Sequence, residues 1–240
     1  MFISSLLDQD SAEALVATPQ ADVHPEVSPD SAWIVYESFA KPEDVFTSVP
    51  SQLKRAPLSG GPSQLVLTAH GWLLHACARA PATICLVGER TEDHKQLVFT
   101  AFDPVKGRGR EVARIATDPR EEYWWSLSPD GSQIAMQFPN GQNRIRLLPL
   151  AGGAPHDLVA ERWSGFWYSP RWSPDGRSFY VASSSPTGMM LLHMDRNGHA
   201  SALWEQKGRF LTWGLPSPDG RRLAILASTV DSNVWMIENF

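Results

Sequence analysis

A Ser-Pro-Asp tripeptide recurs at Ser28, Ser128, Ser173 and Ser217, at intervals of 100, 45 and 44 residues. A repeat of that length constrains the fold more than any other feature of the chain, because such periods belong to stacked supersecondary units. One further, altered unit near residue 80 fills the long interval. There Trp72 to Ala78 and Thr83 to Glu89 read as two strands joined through Ala80-Pro81-Ala82. A second register comes from glycine turns at Gly61, Gly107, Gly153 and Gly198, spaced by 46, 46 and 45 residues. Each follows an apolar run and precedes a short polar-flanked segment, so two markers at different phases define one four-stranded unit.

The turn chemistry explains the repeat. Proline presets φ near −65°, aspartate bonds its own backbone and glycine accepts a positive φ. Ala32 to Tyr36, Gln133 to Phe138, Ser178 to Ala182 and Leu223 to Ala227 follow the turns and are rich in β-branched, aromatic and small apolar residues, as buried strands are. One such sheet cannot bury both of its faces alone, so neighbours must stack. The expected fold class is all-β: a single β-propeller domain over residues 1–240, of about five four-stranded antiparallel blades. Units fall at 22–68, 70–116, 121–160 and 166–205, with a partial last blade at 210–240. That last unit supplies Leu211 to Pro216, Leu223 to Ala227 and Asn233 to Glu238. Ala14 to Thr18, within a closing segment 1–20, is phased as its outer strand. A fragment of a six- or seven-bladed propeller is the alternative.

Charge and composition narrow the partners. Lys and Arg total 21 against 26 Asp and Glu, a formal charge of −5, and no basic cluster exceeds Arg108-Gly109-Arg110. Nucleic acid binding needs a concentrated basic face and is not expected. No apolar window approaches the ~18–20 residues of a membrane-spanning helix, so this segment is expected to make no membrane contact. Met1 to Asp8 lacks a basic n-region and a long apolar h-region. The compartment is left open: cytoplasmic, or extracytoplasmic if an upstream membrane anchor precedes this chain.

At this point the residues resemble a known group, the TolB-type propeller repeats, related in look to the WD-repeat family. Phe102-Asp103-Pro104-Val105-Lys106-Gly107-Arg108-Gly109-Arg110-Glu111 and the ending Asn233-Val234-Trp235-Met236-Ile237-Glu238-Asn239-Phe240 look like C-terminal propellers of acidobacterial regulatory proteins. In that group the propeller follows a serine/threonine kinase or winged-helix DNA-binding domain, neither of which lies in these 240 residues. The resemblance implies a noncatalytic sensor or interaction module of a bacterial regulatory or envelope system. Ser31 stands where glycine is usual, which leaves the type of the first turn open.

Catalytic signatures are absent: no Gly-x-Ser-x-Gly elbow, no His-Glu-x-x-His and no phosphate-binding loop occurs. Seven histidines lie in different units without metal-ligand spacing, so neither a metal nor a cofactor is expected. Cys77 and Cys85 flank Pro81 symmetrically and could form a disulfide or remain two buried thiols. The segments ahead of the Ser-Pro-Asp turns concentrate aromatic and charged groups. His24, Glu26, Glu122, Trp124, Tyr168, Arg171 and Trp213 are the candidates for binding a protein, peptide or small ligand at the propeller's central mouth. Trp125 and Trp172 share strand parity with the apolar face and read as packing residues, whereas Trp124 and Trp213 fit either role. An enzymatic alternative pairs Glu26 with Glu121 or Glu122 as the acid and base of a glycosidase. Another is the accessory propeller of a prolyl-peptidase-like hydrolase.

Overall fold

The Ser-Pro-Asp turns join the first two strands of four of the sheets, and all four adopt one hydrogen-bonded geometry. The computed structural model describes residues 1–5, 8–45, 49–69, 73–138, 144–160, 163, 167–207 and 212–227. Within each turn the serine Oγ donates to the aspartate Oδ1, at 2.5 Å in Ser28–Asp30 and Ser173–Asp175 and at 2.6 Å in Ser128–Asp130 and Ser217–Asp219. That Oδ1 accepts from the backbone N–H two residues on, and the serine Oγ accepts from the backbone N–H five residues on. The fourth turn residue takes a positive φ: 70° at Gly131, 69° at Gly176 and 70° at Gly220. Ser31 adopts the same conformation at φ 57°, so the first turn keeps the type of the others despite its missing glycine. A fifth copy of the motif, Thr91-Glu92-Asp93-His94, joins a second strand to a third. Thr91 Oγ1 donates to Asp93 Oδ1 at 2.6 Å, and His94 stands at φ 58°.

Between turns the chain forms antiparallel sheets whose strands follow one another in sequence. The first four-stranded sheet is β3 (Ala21–Val27), β4 (Trp33–Phe39), β5 (Ser51–Pro57) and β6 (Gln64–Ala69). The second is β7 (Leu73–Cys77), β8 (Cys85–Arg90), β9 (Gln96–Asp103) and β10 (Gly107–Ala116). The third comprises β11 (Trp125–Leu127), β12 (Gln133–Gln137), β13 (Arg144–Pro149) and β14 (His156–Val159). The fourth comprises β15 (Trp167–Trp172), β16 (Ser178–Ser184), β17 (Gly188–Asp195) and β18 (Ala200–Lys207). A two-stranded sheet, β19 (Thr212–Pro216) with β20 (Leu223–Ala227), begins a further unit. Asn233 to Glu238, its expected third strand, lies outside the described residues. Four-stranded sequential sheets of this kind are propeller blades, and the fold class is an all-β propeller. The sole helical element among the described residues is the 3₁₀ turn Pro42–Asp44.

At the N-terminus the chain forms a hairpin, and Asn233 to Glu238, beside which the closing segment was expected, lies outside the described residues. β1 (Phe2–Ser5) pairs with β2 (Asp8–Ala14) in a hairpin of its own, and residues 15–18 lie in no strand. The Leu15 and Val16 amides then donate to the Met1 carbonyl, and the Met1 amino group donates to the Val16 carbonyl.

Two compact units divide the chain. One is Met1–Glu122 with Leu127–Ile134 and Leu148–Ala154; the other is Tyr123–Ser126 with Ala135–Leu147 and Pro155–Phe240. In the first unit, Val35, Leu53, Leu67 and Ala69 pack against Cys85, Val87 and Phe102, so the first two blades share a core. On the opposite face of the first blade, Ile34, Tyr36 and Ala56 are covered by Val16, with Met1, Leu15 and Leu58 beside it. In the second unit, Ala135, Ile145, Leu147 and Leu158 pack against Trp172, Phe179, Val181, Leu192 and Met194. Trp172 lies 4.3 Å from Phe179 between ring centroids, and its Nε1 donates to the Ser126 carbonyl at 3.4 Å. Burying a side chain such as Phe179 contributes roughly 1.5–3 kcal/mol.

Candidate functional site

The first strand of the first blade is distorted at the residues that carry chemistry. Alternation along β3 would send His24 to the face opposite Val23, and Val23 is paired with Glu37. A bulge between Val23 and Glu26 breaks that alternation. His24, followed by Pro25, takes φ 51°, a left-handed conformation that costs a non-glycine residue about 1–3 kcal/mol. The distortion brings His24 Nδ1 to 3.5 Å from Glu37 Oε2. Bulges re-aim side chains in this way.

Glu37 is fully buried and meets a second imidazole. His75, on β7 of the neighbouring blade, places Nδ1 3.3 Å from Glu37 Oε1 and Nε2 3.2 Å from the Val35 carbonyl. Both ring nitrogens of His75 thus face oxygen atoms of the first blade. Burial works against ionisation of Glu37, but the two histidines outweigh it and hold its carboxyl below the usual range. A carboxylate taken wholly out of water costs several kcal/mol unless its partners are well placed, and here they come from two different strands.

A staple fixes the same region. Cys77 and Cys85, directly paired across β7 and β8, are joined by a disulfide. The bridged loop replaces the Ser-Pro-Asp turn of the second blade and contains a cis Ala80–Pro81 peptide. Arg79 lies in this loop, and its amide donates to the Pro129 carbonyl at 2.8 Å. Burial pushes the Arg79 guanidinium down, and the Glu26 carboxylate acts against that shift. Glu26 is paired with Val35 across β3 and β4, so it shares the face that meets the second blade. His24, Glu26 and Glu37 of the first blade thus approach His75 and Arg79 of the second.

The second unit assembles a different set. Trp124 and Trp213 lie 6.4 Å apart between ring centroids, tilted by 57°, and both are partly buried. β15 repeats the distortion of β3: its register shifts between Tyr168 and Arg171, and Ser169, followed by Pro170, takes φ 41°. His24, Trp124, Ser169 and Trp213 each stand four residues ahead of a turn serine. Arg171 is half-buried, Trp125 and Trp172 are buried, and Tyr168 is paired with Ala182.

Of the seven candidates, His24 and Glu26 thus fall on one face in the first unit, and Trp124 and Trp213 meet in the second. Glu122 is exposed. Sequence reasoning passed over Glu37 and His75. A signal for Glu37 existed, since a lone acid within Trp-Ile-Val-Tyr-Glu-Ser-Phe must be answered if the strand is buried. Among the described residues no cluster of three or more His, Cys, Asp or Glu side chains is arranged to hold a metal.

Comparison with known proteins places the chain by fold. No family model matches the sequence, and no curated protein matches it. Among solved structures, it is similar to a protein of Agrobacterium tumefaciens described as a candidate TolB. The TM-score is 0.67 at 20% identity, over 92% of this chain and 75% of that one. A puromycin hydrolase aligns with a TM-score of 0.56 at 19% identity, over 89% of this chain and 34% of that one. A protein of Desulfotomaculum acetoxidans described as functionally unknown aligns with a TM-score of 0.53 at 14% identity, over 88% of this chain and 64% of that one. The chain thus spans three quarters of the first neighbour, about a third of the second and just under two thirds of the third. At these identities the likeness defines the fold, a β-propeller with TolB-like neighbours.

Proposed function

We propose that the chain is a noncatalytic binding module of a bacterial regulatory or envelope system, taking a peptide, protein segment or small ligand on the first strands of its blades. The observation that carries this reading is the coincidence of strain with chemistry. Two first strands, β3 and β15, are bulged at a positive-φ residue four places before the turn, and the same position elsewhere holds Trp124 and Trp213. Strained backbone beside buried charge and partly exposed rings is characteristic of recognition sites. The likeness to a candidate TolB supports an interaction role. The Cys77–Cys85 bridge supports work in an oxidising compartment.

A hydrolase-linked reading has one supporting observation, the puromycin hydrolase whose chain is covered over 34%. In that reading this chain is the accessory propeller and the nucleophile belongs to another domain.

A thermal-shift screen of the purified chain against peptides, murein fragments, sugars and divalent ions tests the proposal. A ligand that binds the folded state raises stability by RT ln(1 + [L]/Kd), about 2.7 kcal/mol at a hundredfold excess over Kd. The expected result is a concentration-dependent shift that Trp124→Ala or Arg171→Ala reduces. A flat screen would overturn a small-ligand role and leave protein scaffolding.

A further inference from the structure

Resting on the reading of the first strands as a recognition surface, we propose that Trp124, Trp213, Gln137 and Ser126 form a subsite for one uncharged pyranose unit of a glycan. The indoles take its ring and Gln137 takes one of its hydroxyls. Two buried polar atoms carry the inference. Gln137 and Ser126 are 3% and 4% exposed, and among the described residues Gln137 Oε1 and Ser126 Oγ have no hydrogen-bond partner. An unanswered buried acceptor costs stability, and native chains answer most of them. Glu37 and Gln137 stand at the same place in their blades, nine residues after the turn serines Ser28 and Ser128. The first blade meets its buried residue with His75 at 3.3 Å, whereas Gln137 Oε1 is left unanswered in the third. The fourth blade holds Ala182 at this place, nine residues after Ser173, so the position does not require a polar side chain. A ligand donor gives the Gln137 carboxamide its use.

The register sets these polar groups beside the ring pair. The Gln137 amide donates to the Trp124 carbonyl at 2.9 Å, which puts the two residues opposite one another in the third blade. Opposed side chains share a face, with Cβ atoms about 5 Å apart. Ser126, two residues after Trp124, and Ala135, two before Gln137, belong to that face. Ala135 packs with Trp172 and Phe179, so the face meets the fourth blade. Gln137 and Ser126 are buried there, while Trp124 and Trp213, 6.4 Å apart between ring centroids, are partly exposed. Movement of the Trp124 ring uncovers the carboxamide opposite it. None of the four side chains is ionisable, so they offer an ion no opposite charge. Gln137 Oε1 needs an N–H or O–H donor, and the Ser126 hydroxyl donates or accepts. A pyranose supplies neighbouring hydroxyls that do both, and a C–H face that lies against an indole. A peptide also supplies a donor, and only proline adds a ring.

The test uses the intact chain and ¹⁵N–¹H spectra that report the Trp124 and Trp213 indole N–H groups and the Gln137 side-chain amide. Methyl glucoside and N-acetylglucosamine are the probes, with glycerol, tetrahydropyran and N-acetylprolinamide as comparisons. All three signals are expected to move saturably with a pyranose and less with each comparison. Gln137→Met keeps the volume and removes the unanswered acceptor, so it should raise Tm while weakening pyranose binding about tenfold, the equivalent of one hydrogen bond. An equal response to glycerol, or movement with N-acetylprolinamide and not with the pyranoses, would overturn the proposal without any variant having to fold. A Gln137→Met chain that binds the pyranoses equally well, or that melts lower, would also overturn it, the second by showing that the carboxamide is answered within the protein. Indoles that stay silent toward pyranoses while other first-strand signals move with a screening ligand reject this subsite and keep the binding module. A flat thermal-shift screen removes both.

Discussion

Four first-to-second-strand turns are held by hydrogen bonds between a serine, an aspartate and the backbone, whereas the corresponding turn of the second blade is held by a covalent bridge. The difference follows from what each turn can offer itself. Ser-Pro-Asp closes its own network within five residues and needs nothing from elsewhere. The Ala78 to Ile84 loop has no such acid, so it relies on Cys77–Cys85 below it and on the Ser-Pro-Asp turn of the third blade beside it. The Arg79 amide donates to Pro129, and a Cβ added at Gly131 would come within 2.4 Å of Ile84 and 3.2 Å of Ala78. The stapled loop also carries Arg79 next to the Glu26 face. A self-sufficient turn suffices where a loop only reverses the chain, and a crosslink stands where a loop also packs against its neighbour and carries a half-buried arginine.

Breaking the staple should have the largest effect. Replacing Cys77 and Cys85 by alanine removes a short closed loop, and the chain-entropy relation gives a loss of roughly 2.5 kcal/mol, or about 5–10 °C in Tm. Calorimetry with and without reductant checks this. The unmodified chain should lose the same increment when reduced, and the double variant should not respond.

Gly131→Ala and Gly220→Ala separate the two kinds of turn through sterics. Both glycines stand at φ 70°, but Gly220 has its nearest neighbour, Pro174, at 3.7 Å while Gly131 is pressed against the stapled loop. The backbone term costs each about 1 kcal/mol, and overpacking adds about 1–3 kcal/mol at Gly131 alone. Denaturant midpoints of the two variants should differ by that increment, and equal midpoints would deny the contact between turn and loop.

Acid should loosen the hydrogen-bonded turns and spare the covalent one. Hydrogen bonds from the turn serines hold Asp30, Asp130, Asp175 and Asp219 below the usual carboxylate range, and Asp195 is lowered to about 2 by its His199 contact. A depressed folded-state pKa stabilises above the unfolded value and that stability is lost as pH falls through the folded value. Tm should therefore decline between about pH 4 and pH 2, and Asp130→Asn should flatten the decline while lowering Tm at pH 7.

The smallest effect is expected at Ser31→Gly. Glycine at φ 57° relieves the strain that serine bears, for a gain of about 0.5–1 kcal/mol, seen as a slightly raised urea midpoint.

These contrasts also mark what could be read from sequence. The blades were legible because Ser-Pro-Asp and the glycine turns act locally, and a local cause leaves a local pattern. Thr91-Glu92-Asp93 performs the same hydrogen bonding and was hidden by its threonine and its place between the second and third strands. The disulfide was half legible, since spacing allowed it and only direct pairing of Cys77 with Cys85 decided it. The His24–Glu37–His75 contact was not legible, because it joins residues 38 positions apart across two blades and requires a bulge that no turn residue announces. The N-terminal hairpin of Phe2–Ser5 with Asp8–Ala14 was not legible either, because strand phasing marked only Ala14 to Thr18.

Hydrogen–deuterium exchange of the intact chain, with and without the screening ligand that gives the largest thermal shift, tests the central claim most directly. The account predicts slowed exchange in the first strands and their turns, at Ala21–Val27, Leu73–Arg79 or Trp167–Trp172, with the last strands Gln64–Ala69, Gly107–Ala116 and Ala200–Lys207 unchanged. Protection confined to those last strands would contradict it.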